Sequence, residues 1–182
     1  MSERTALVEL LKARSVRYGE FTLASGKKSD LYIDARLTTM SPEGLAIIGP
    51  LALSTIRRMQ WRPDSIGGLT LGADPIAYAA SYASIENPPP LRAFTVRKEP
   101  KQHGARKLIE GPFKKGDRVV VVEDVVTSGE SAIKAIEAVR DAGGEIVGVI
   151  ALVDRHEGGT EKLKAAGFSL VSLVEGEELR RR

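Results

Sequence analysis

The segment from Arg118 to Ser131, RVVVVEDVVTSGES, constrains the fold more than any other part of the chain. Its four consecutive valines predict a strand over Arg118–Val122 that is buried on both faces, because a half-solvated strand would alternate apolar and polar residues. The stretch Gly129–Ala142 has apolar residues at helical spacing, and Gly143-Gly144 is typical of a left-handed helix stop. We therefore predict a strand, a tight turn and a helix.

Helices and apolar strands alternate through much of the remaining chain. Further strands are predicted at Ser65–Thr70, Leu91–Val96, Ile146–Val153 and Phe168–Val174. This alternation predicts an α/β fold with a Rossmann-like parallel sheet flanked by helices. Ligands of such sheets bind beyond the carboxyl ends of the strands. The residues expected at that edge are Thr70 to Asp74, those from Arg97 onward, those from Glu123 onward, and Asp154-Arg155.

The turn after the valine strand has the chemistry of a sugar-phosphate site. It supplies three hydroxyls, a glycine and two acids, which are Thr127, Ser128, Ser131, Gly129, Glu123 and Asp124. A helix start offers free N–H groups and a positive dipole end to a phosphate, and carboxylates can accept hydrogen bonds from ribose hydroxyls. The Walker pattern of nucleoside triphosphate sites is absent. The alternative is that the hydroxyls only cap the helix and the acids are ordinary strand-end charges.

Positive charge is concentrated in one segment. The segment from Arg97 to Glu110 contains five Lys/Arg and two acids, whereas the remainder of the 182 residues contains 22 basic and 22 acidic residues. This indicates a localised anion site rather than a nucleic-acid surface, which usually adds stacking aromatics. Lys98 to Pro112 is a long polar connection that could close over a site, with Gly104 and Gly111 as flexible points. The alternative is a solvated basic loop.

Composition excludes several other classes. The chain has no cysteine, which excludes disulfides, thiolate metal sites and a cysteine nucleophile, and its two histidines argue against a His-rich metal centre. The N-terminal MSERTALVELLKARS is charged where a signal peptide is apolar, and the apolar run Ile146–Val153 is too short to span a bilayer. We expect a soluble, cytoplasmic protein with neither a membrane nor a nucleic-acid partner.

The RVVVVEDVVTSGES string resembles the phosphoribosyl-pyrophosphate (PRPP) motif of the type I phosphoribosyltransferases. The stretches FTLASGKKSDLYIDAR, VRKEPKQHG and LVDRHEGG resemble the other signatures of the orotate phosphoribosyltransferase family, so the resemblance runs from about Phe21 to Gly159. It implies one domain over residues 1–182, with a small hood from about 1–40 and a mobile lid at about 98–112. The implied reaction transfers the 5-phosphoribosyl group of PRPP to orotate, giving orotidine 5′-phosphate and pyrophosphate in UMP synthesis.

The resemblance also implies roles for individual residues. The implied PRPP contacts are Arg97, Lys98, Lys101, His103, Glu123, Asp124, Val125, Val126, Thr127, Ser128, Gly129, Glu130 and Ser131. Among these, Lys101, His103 and Asp124 are the implied catalytic residues, and Thr127 and Arg155 are the implied orotate contacts. The cofactor would be Mg²⁺, held mainly by the pyrophosphate of PRPP with no direct protein ligand. The family also implies a homodimer in which each lid reaches the neighbouring subunit's site.

Arg155 can be judged from its chemistry as well. Orotate carries a carboxylate, and a guanidinium binds a carboxylate through two parallel hydrogen bonds. The alternative is that Arg155 pairs with Asp154 or Glu157 at the surface, and His156 has no evident task. Some family members carry lysines at the positions of Ala24 and of the Gly72-Ala73-Asp74 turn, so contacts of those lysines are not implied here.

Other questions stay open from the sequence. The roles of Lys27, Lys28 and Tyr32 are undetermined. A phosphoribosyltransferase for another base is a possible alternative, although a neutral purine would leave the Arg155 guanidinium unpaired, which is costly in a buried site. A PRPP-sensing regulator is a second alternative, but it would need a recognition helix or a further basic face.

Overall fold

The structure is a computed structural model that describes residues 2–22, 28–99 and 107–180. Its strands are β1 Val16–Thr22, β2 Lys28–Ile33, β3 Ser65–Leu69, β4 Arg92–Val96, β5 Ile109–Glu110, β6 Arg118–Val126, β7 Glu145–Asp154 and β8 Leu170–Glu175. Its α-helices are α1 Glu3–Arg14, α2 Arg36–Thr39, α3 Pro42–Arg58, α4 Ala73–Ala83, α5 Glu130–Asp141 and α6 Gly159–Ala165, and a 3₁₀ turn covers Gly176–Leu179. Within these ranges, no helix combines the length and the apolar character that a bilayer span requires.

The main sheet has six strands in the order β5-β4-β3-β6-β7-β8. The five pairings are parallel except that of β5, which runs antiparallel to β4 at one edge. Strands β1 and β2 form a separate antiparallel pair ahead of the sheet. The predicted parallel sheet flanked by helices is confirmed, with an antiparallel edge strand that was not predicted.

Strand β6 lies inside the sheet and is shared by two hydrophobic cores. Val120 and Val122 pack into the core that contains α1, α3 and α4, whereas Val119 and Val121 pack into the core beneath α5 and α6. Successive side chains of a strand point to opposite faces, so a run of four valines feeds both cores. All four are fully buried, and each such burial stabilises the fold by roughly 1.5–3 kcal/mol.

Strand β6 is longer than predicted. The ladder to β7 continues to Val126, which pairs with Asp154, whereas the valine pattern had ended the strand at Val122. The backbone pairing continues beyond the four valines because ladder hydrogen bonds join backbone groups, so the polar side chains of Glu123 and Asp124 do not interrupt them. Glu123 and Asp124 therefore lie within the strand rather than after it, and the sheet fixes their backbone.

The loop predicted at 98–112 is interrupted by structure. Ile109 and Glu110 form β5, and the N–H of Arg97 donates to the Leu108 carbonyl at 2.8 Å, closing the base of the connection. A two-residue strand is too short to show alternation in the sequence, so the pattern could not reveal it. The connection between β4 and β5 is shorter than the predicted lid.

The segment before α3 packs against the C-terminal end of the chain. The Tyr18 hydroxyl donates to the Leu179 carbonyl at 2.8 Å, and Arg180 pairs with Asp30 at 2.8 Å. Strands β1 and β2 flank residues 23–27, which lie outside the described residues. The positions of Ala24 and Lys27 are therefore not described.

Candidate active site

Four neighbouring parallel strands, β4, β3, β6 and β7, end at the same edge of the sheet. The residues predicted to build the site come directly after these strands, and each strand contributes one, namely Arg97, Thr70, Thr127 and Arg155. Parallel topology therefore gathers residues that are far apart in sequence, as the predicted sheet required.

The turn between β6 and α5 leaves its polar groups facing outward. Gly129 has φ 74°, and a Cβ at that position would lie 3.1 Å from the Gly159 carbonyl oxygen, so glycine is required. Helix α5 begins at Glu130 without a side-chain cap. In the described part of the chain, the hydroxyls of Thr127 and Ser128 form no hydrogen bond with a protein group and accept none from the start of α5, which contradicts the capping alternative. The free N–H groups of the first helical turn remain available to an anion.

The neighbours of this turn occupy different positions. Val126 is buried and Val125 is half-buried, so a ligand could reach these two only through their backbone. The Val126 carbonyl accepts the N–H of Arg155 at 3.0 Å and ties the turn to the end of β7. Glu130 is exposed, and Ser131 is half-buried one residue further along α5.

Glu123 and Asp124 differ sharply in environment. Glu123 is 8% exposed, and its buried Oε2 has no hydrogen-bond partner among the described residues. Burial, and next the charge and hydrogen bond of Asp124, raise the pKa of Glu123 to about 9. Asp124 is half-buried, and its Oδ1 accepts the Val125 N–H at 2.9 Å. Glu123 is therefore protonated at neutral pH and can donate a hydrogen bond as well as accept one.

Gly72 is the close neighbour of Asp124. A Cβ on Gly72 would lie 2.4 Å from Asp124 Cγ, a separation that real structures do not tolerate. The predicted turn at Gly72-Ala73-Asp74 is in fact the start of α4, with Gly72 at the N-cap position. The glycine allows the strand carboxylate to approach the start of a second helix, a contact that the sequence did not reveal.

Asp74 joins three elements below this contact. It is buried, its Oδ2 accepts from the Thr70 hydroxyl at 2.7 Å, and its Oδ1 accepts from the Thr95 hydroxyl at 2.8 Å. The Thr95 hydroxyl also lies 2.7 Å from the Tyr78 hydroxyl. Since both carboxylate oxygens are satisfied, Asp74 holds β3, β4 and α4 together.

Arg155 is held beneath the N-terminal segment. Its side chain is 6% exposed, and one terminal nitrogen donates to the Ser29 hydroxyl at 3.0 Å and forms an ion pair with Glu157 Oε1 at 2.8 Å. Pairing with Glu157 was the alternative to a ligand role, but the pair is not at the open surface. Ser29 comes from β2, so the contact positions Arg155 between the β1–β2 pair and the main sheet.

The loop that carries Arg155 is fixed by a polar network. Asp154 accepts the His156 N–H at 2.9 Å and the Thr160 hydroxyl, and His156 Nε2 lies 2.7 Å from Glu175 Oε2. The hydrogen bond to Glu175, followed by the nearby carboxylate charges, raises the pKa of His156. Sequence reasoning had assigned His156 no task, and the structure places it between two carboxylates.

This network contains the one three-residue group in the described ranges whose ligand atoms lie within 4.8 Å of one another, Asp154, His156 and Glu175. The imidazole lies between the carboxylates and is hydrogen-bonded to one of them, as expected for an ion pair. We therefore assign the group a structural role in holding the Arg155 loop.

The basic segment is only partly described. Arg97 is half-buried, with NH1 3.7 Å from Glu110 Oε1, and Lys98 is exposed. A cavity of about 500 Å³ is lined by Arg97, Lys98 and Ser131, and also by Lys134 one helical turn beyond Ser131. Lys101 and His103 lie outside the described residues. The structure thus brings Arg97 and Lys98 to α5, and it adds Lys134, which the sequence did not single out.

This fold and site define the class of the protein. Residues 40–175 match the model of the phosphoribosyl transferase domain family, and the chain belongs to that family. Within it, the chain belongs to the orotate phosphoribosyltransferases. It is 47% identical over 182 residues to orotate phosphoribosyltransferase of Aquifex aeolicus, covering 98% of each chain.

Solved structures agree with this placement. Mycobacterium tuberculosis orotate phosphoribosyltransferase in complex with Fe(III) dicitrate is 42% identical with a TM-score of 0.88, covering 99% of this chain and 100% of that one. The same enzyme in complex with PRPP is 39% identical with a TM-score of 0.83, covering 98% of this chain and 99% of that one.

Proposed function

We propose that the protein transfers the 5-phosphoribosyl group from PRPP to orotate, giving orotidine 5′-phosphate and pyrophosphate in UMP biosynthesis. The observation that carries this proposal is Arg155, a guanidinium that is 6% exposed beside the sugar-phosphate turn. Both contacts of Arg155 within the described residues use one terminal nitrogen, so a base with a carboxylate could pair with the rest of the guanidinium, whereas a neutral base could not. The orotate phosphoribosyltransferase relatives support the same substrate.

The turn after β6 would bind the sugar phosphate. The N–H groups at the start of α5 and the hydroxyls of Thr127 and Ser128 would hold the 5-phosphate, because none of these groups is used by the described part of the protein. Glu123 and Asp124 would face the ribose hydroxyls. A protonated Glu123 can donate as well as accept a hydrogen bond, which suits hydroxyl partners.

The reaction develops charge at two places. As the bond from C1′ to pyrophosphate breaks, positive charge grows on the ribose and the Asp124 carboxylate would stabilise it. Negative charge grows on the departing pyrophosphate, where Arg97, Lys98, Lys101 and His103 would supply cations. Orotate forms the new bond through a ring nitrogen. A closed lid would exclude water from the sugar cation.

Mg²⁺ is the proposed cofactor, held mainly by the pyrophosphate of PRPP, where it would neutralise part of the leaving group's charge. The donor set of the chain fits this supporting arrangement. Glu123 and Asp124 are hard oxygen donors, but Glu123 is protonated at neutral pH and buried, so the pair suits ribose contacts better than a metal cage.

We further propose that two copies assemble with their lids exchanged. Large apolar side chains are exposed along and just after α4, with Tyr78 at 52%, Ile85 at 68% and Tyr82 at 83% exposure, and they line a cavity of about 600 Å³. Exposed apolar patches of this kind mark interfaces. Tyr78 touches Thr95, which supports Asp74, so a partner seated here would lie near the active site.

Sedimentation analysis should give a dimer, and Tyr82→Glu should shift it toward monomer; a wild-type monomer would contradict the assembly.

A cytoplasmic location is proposed for the enzyme. Its substrates are multiply charged anions that cross a bilayer poorly, because an isolated charge is costly to move into an apolar medium. Fractionation of the native host should recover the activity with the cytoplasmic fraction, and recovery with the envelope would contradict the proposal.

The decisive experiment follows orotate absorbance in the presence of PRPP and Mg²⁺. Loss of orotate with release of pyrophosphate is the expected result. No turnover with orotate but turnover with a purine base would overturn the substrate, and PRPP binding without turnover on any base would indicate a regulator. Omitting Mg²⁺ in the presence of a chelator should abolish turnover.

A further inference from the structure

A large cavity lies at the opposite edge of the sheet from the active site. It has a volume of about 1040 Å³ and is built around the N-terminal starts of β3, β4 and β6 together with the C-terminal end of α3. Its size is slightly above the range of roughly 300–1,000 Å³ that is typical of small-molecule sites. None of the residues assigned to PRPP or orotate lines it.

Four arginines and one acid line this cavity, giving it a net charge of +3. Arg92 is neutralised, because it donates to Asp117 Oδ1 at 2.7 Å. Arg57 donates only to the Asn87 carbonyl at 2.9 Å. In the described ranges, the guanidiniums of Arg62 and Arg118 have no hydrogen-bond or ion-pair partner.

The single acid of the cavity is engaged with the backbone. Asp64 Oδ2 accepts the Arg118 N–H at 2.9 Å, while the Asp64 carbonyl accepts the N–H of Arg92 at 3.2 Å. Asp64 thus ties together the starts of β4 and β6. The rim is held by the sheet, and three guanidiniums on it, those of Arg57, Arg62 and Arg118, lack a carboxylate partner.

The floor of the cavity is apolar and carries the only tryptophan of the chain. Trp61 is half-buried and lies directly on the backbone of β7, since a Cβ on Gly148 would fall 2.2 Å from the indole ring. Leu53 and Ile56 of α3 and three prolines complete the apolar lining. An exposed arginine cluster alone would be an ordinary solvated surface, but a concave apolar floor with a fixed aromatic ring is a different arrangement.

We propose that this cavity is a second ligand site, which binds a nucleoside phosphate. The ligand's phosphate contacts Arg57, Arg62 and Arg118, because guanidinium matches phosphate oxygens through paired hydrogen bonds. Its base packs against Trp61, since a flat ring adds favourable contact on an indole held in place. The site is separate from the catalytic edge, so it is available while the substrates are bound.

Trp61 provides the test, because it is the only tryptophan and it lies in the cavity. Titration of the full-length protein with UMP should change its tryptophan fluorescence saturably, and the affinity should fall as salt is raised. Uridine and inorganic phosphate, each lacking half of the ligand, should bind at least about tenfold more weakly if both halves are recognised. No fluorescence change with UMP would overturn the proposal.

Variants locate the binding. Arg62→Glu should weaken UMP binding by about tenfold or more, as expected for loss of a charge-assisted contact. Arg58→Glu is the matched control, because Arg58 is exposed and adjacent in sequence to Arg57 but does not line the cavity. Turnover of orotate and PRPP should stay within about twofold in both variants, because neither residue is near the catalytic edge. Equal losses in both variants, or undiminished binding in Arg62→Glu, would overturn the assignment. Arg62 is exposed, so its replacement should leave the fold intact, and circular dichroism verifies this.

Discussion

Two loops at the same edge of the sheet are built in opposite ways. In the turn after β6, the hydroxyls of Thr127 and Ser128 have no protein partner within the described residues, and Glu123 Oε2, at the end of β6 before this turn, is buried without one. In the loop after β7, Asp154 and His156 are satisfied by their neighbours. The polar groups of the first loop are left without protein partners, whereas those of the second loop hydrogen-bond to their neighbours.

This difference in hydrogen bonding indicates that the first loop binds a ligand and that the second loop supports a neighbouring side chain. Buried polar groups are nearly always paired in folded proteins, so the unpaired Oε2 of Glu123, a few residues before the free hydroxyls of Thr127 and Ser128, indicates that a ligand completes this site. A satisfied network instead fixes the position of what it carries, which here is Arg155. The first loop should therefore respond mainly in ligand binding when it is altered, and the second mainly in the placement of one side chain.

The most severe test removes the group that the second loop supports. Arg155→Ala should lower kcat/KM for orotate by about a hundredfold, because a buried charge-assisted contact to the substrate carboxylate is lost. PRPP affinity should change little. Arg155→Lys is the control, since it keeps the charge but not the paired geometry and should recover only part of the activity. If Arg155→Ala weakened the use of orotate and of PRPP equally, the two loops would not have the separate roles described above.

The next test disturbs the first loop from outside. Gly72→Ala would place a methyl group against Asp124, so PRPP affinity should fall by about tenfold or more, with about 1–3 kcal/mol of destabilisation from overpacking. Calorimetric titration with PRPP measures the affinity. Gly19→Ala is the matched control, because its Cβ would meet only the Phe21 ring at 3.5 Å, an ordinary contact. Unchanged PRPP binding in Gly72→Ala would show that Asp124 does not need its present position.

A pH titration tests the unpaired carboxyl. Glu123 titrates near 4.5 when unfolded and near 9 when folded, so between those values the folded state keeps a proton that the unfolded state releases. The free energy of unfolding should fall as pH rises through this window. At pH 8, Glu123→Gln should be about 1–3 kcal/mol more stable than wild type without ligand. Below pH 4.5 this difference should vanish.

Urea denaturation at several pH values measures that difference. Glu145→Gln, at an exposed position, is the control and should be neutral. A wild-type stability that rises between pH 5 and pH 8 relative to Glu123→Gln would mean that the carboxyl is ionised in the fold.

The smallest effect is expected from the satisfied loop. The folded pKa of His156 is raised, so its stabilising contribution is complete below pH 6.5 and is lost as pH rises through the folded value. His156→Asn should lower Tm by about 2 °C or less at pH 6, because the site is half exposed and solvent screens the pairing. The difference should disappear at high pH, and Glu175→Gln should reproduce it. A pH-independent difference would point to packing instead of charge.

The parts of the fold that sequence predicted are those with a local pattern. The valines of β6, the helical spacing of α5 and the left-handed Gly143, with φ 83°, each leave a signal within a few residues. Strand β5 leaves none, because two residues cannot show alternation. The end of β6 was misjudged because pairing with β7 continues after the apolar run stops.

The sequence predicted which residues come together in the site, but not their protonation states or contacts. Strand order explains why Thr127 and Arg155 come together, and the sequence pattern contained that order in outline. The raised pKa of Glu123 depends on burial, and the contact between Gly72 and Asp124 joins residues 52 positions apart. The arginine cavity could not be predicted for the same reason. The net charge outside the Arg97–Glu110 segment is zero, and this sum does not reveal arginines that folding brings together from separate elements.

The sharing of β6 between two cores has a consequence for how the molecule opens. The amides of Val119 to Val122 cannot reach solvent unless both layers of helices separate, so their hydrogen exchange should require global unfolding. The turn at Thr127 and Ser128 lies only a few residues away and is exposed to solvent on one side. The slowest-exchanging and the most ligand-responsive amides of the protein are therefore expected on one continuous stretch of chain. Local motion of the turn at Thr127 and Ser128 should leave the hydrogen bonds of β6 intact.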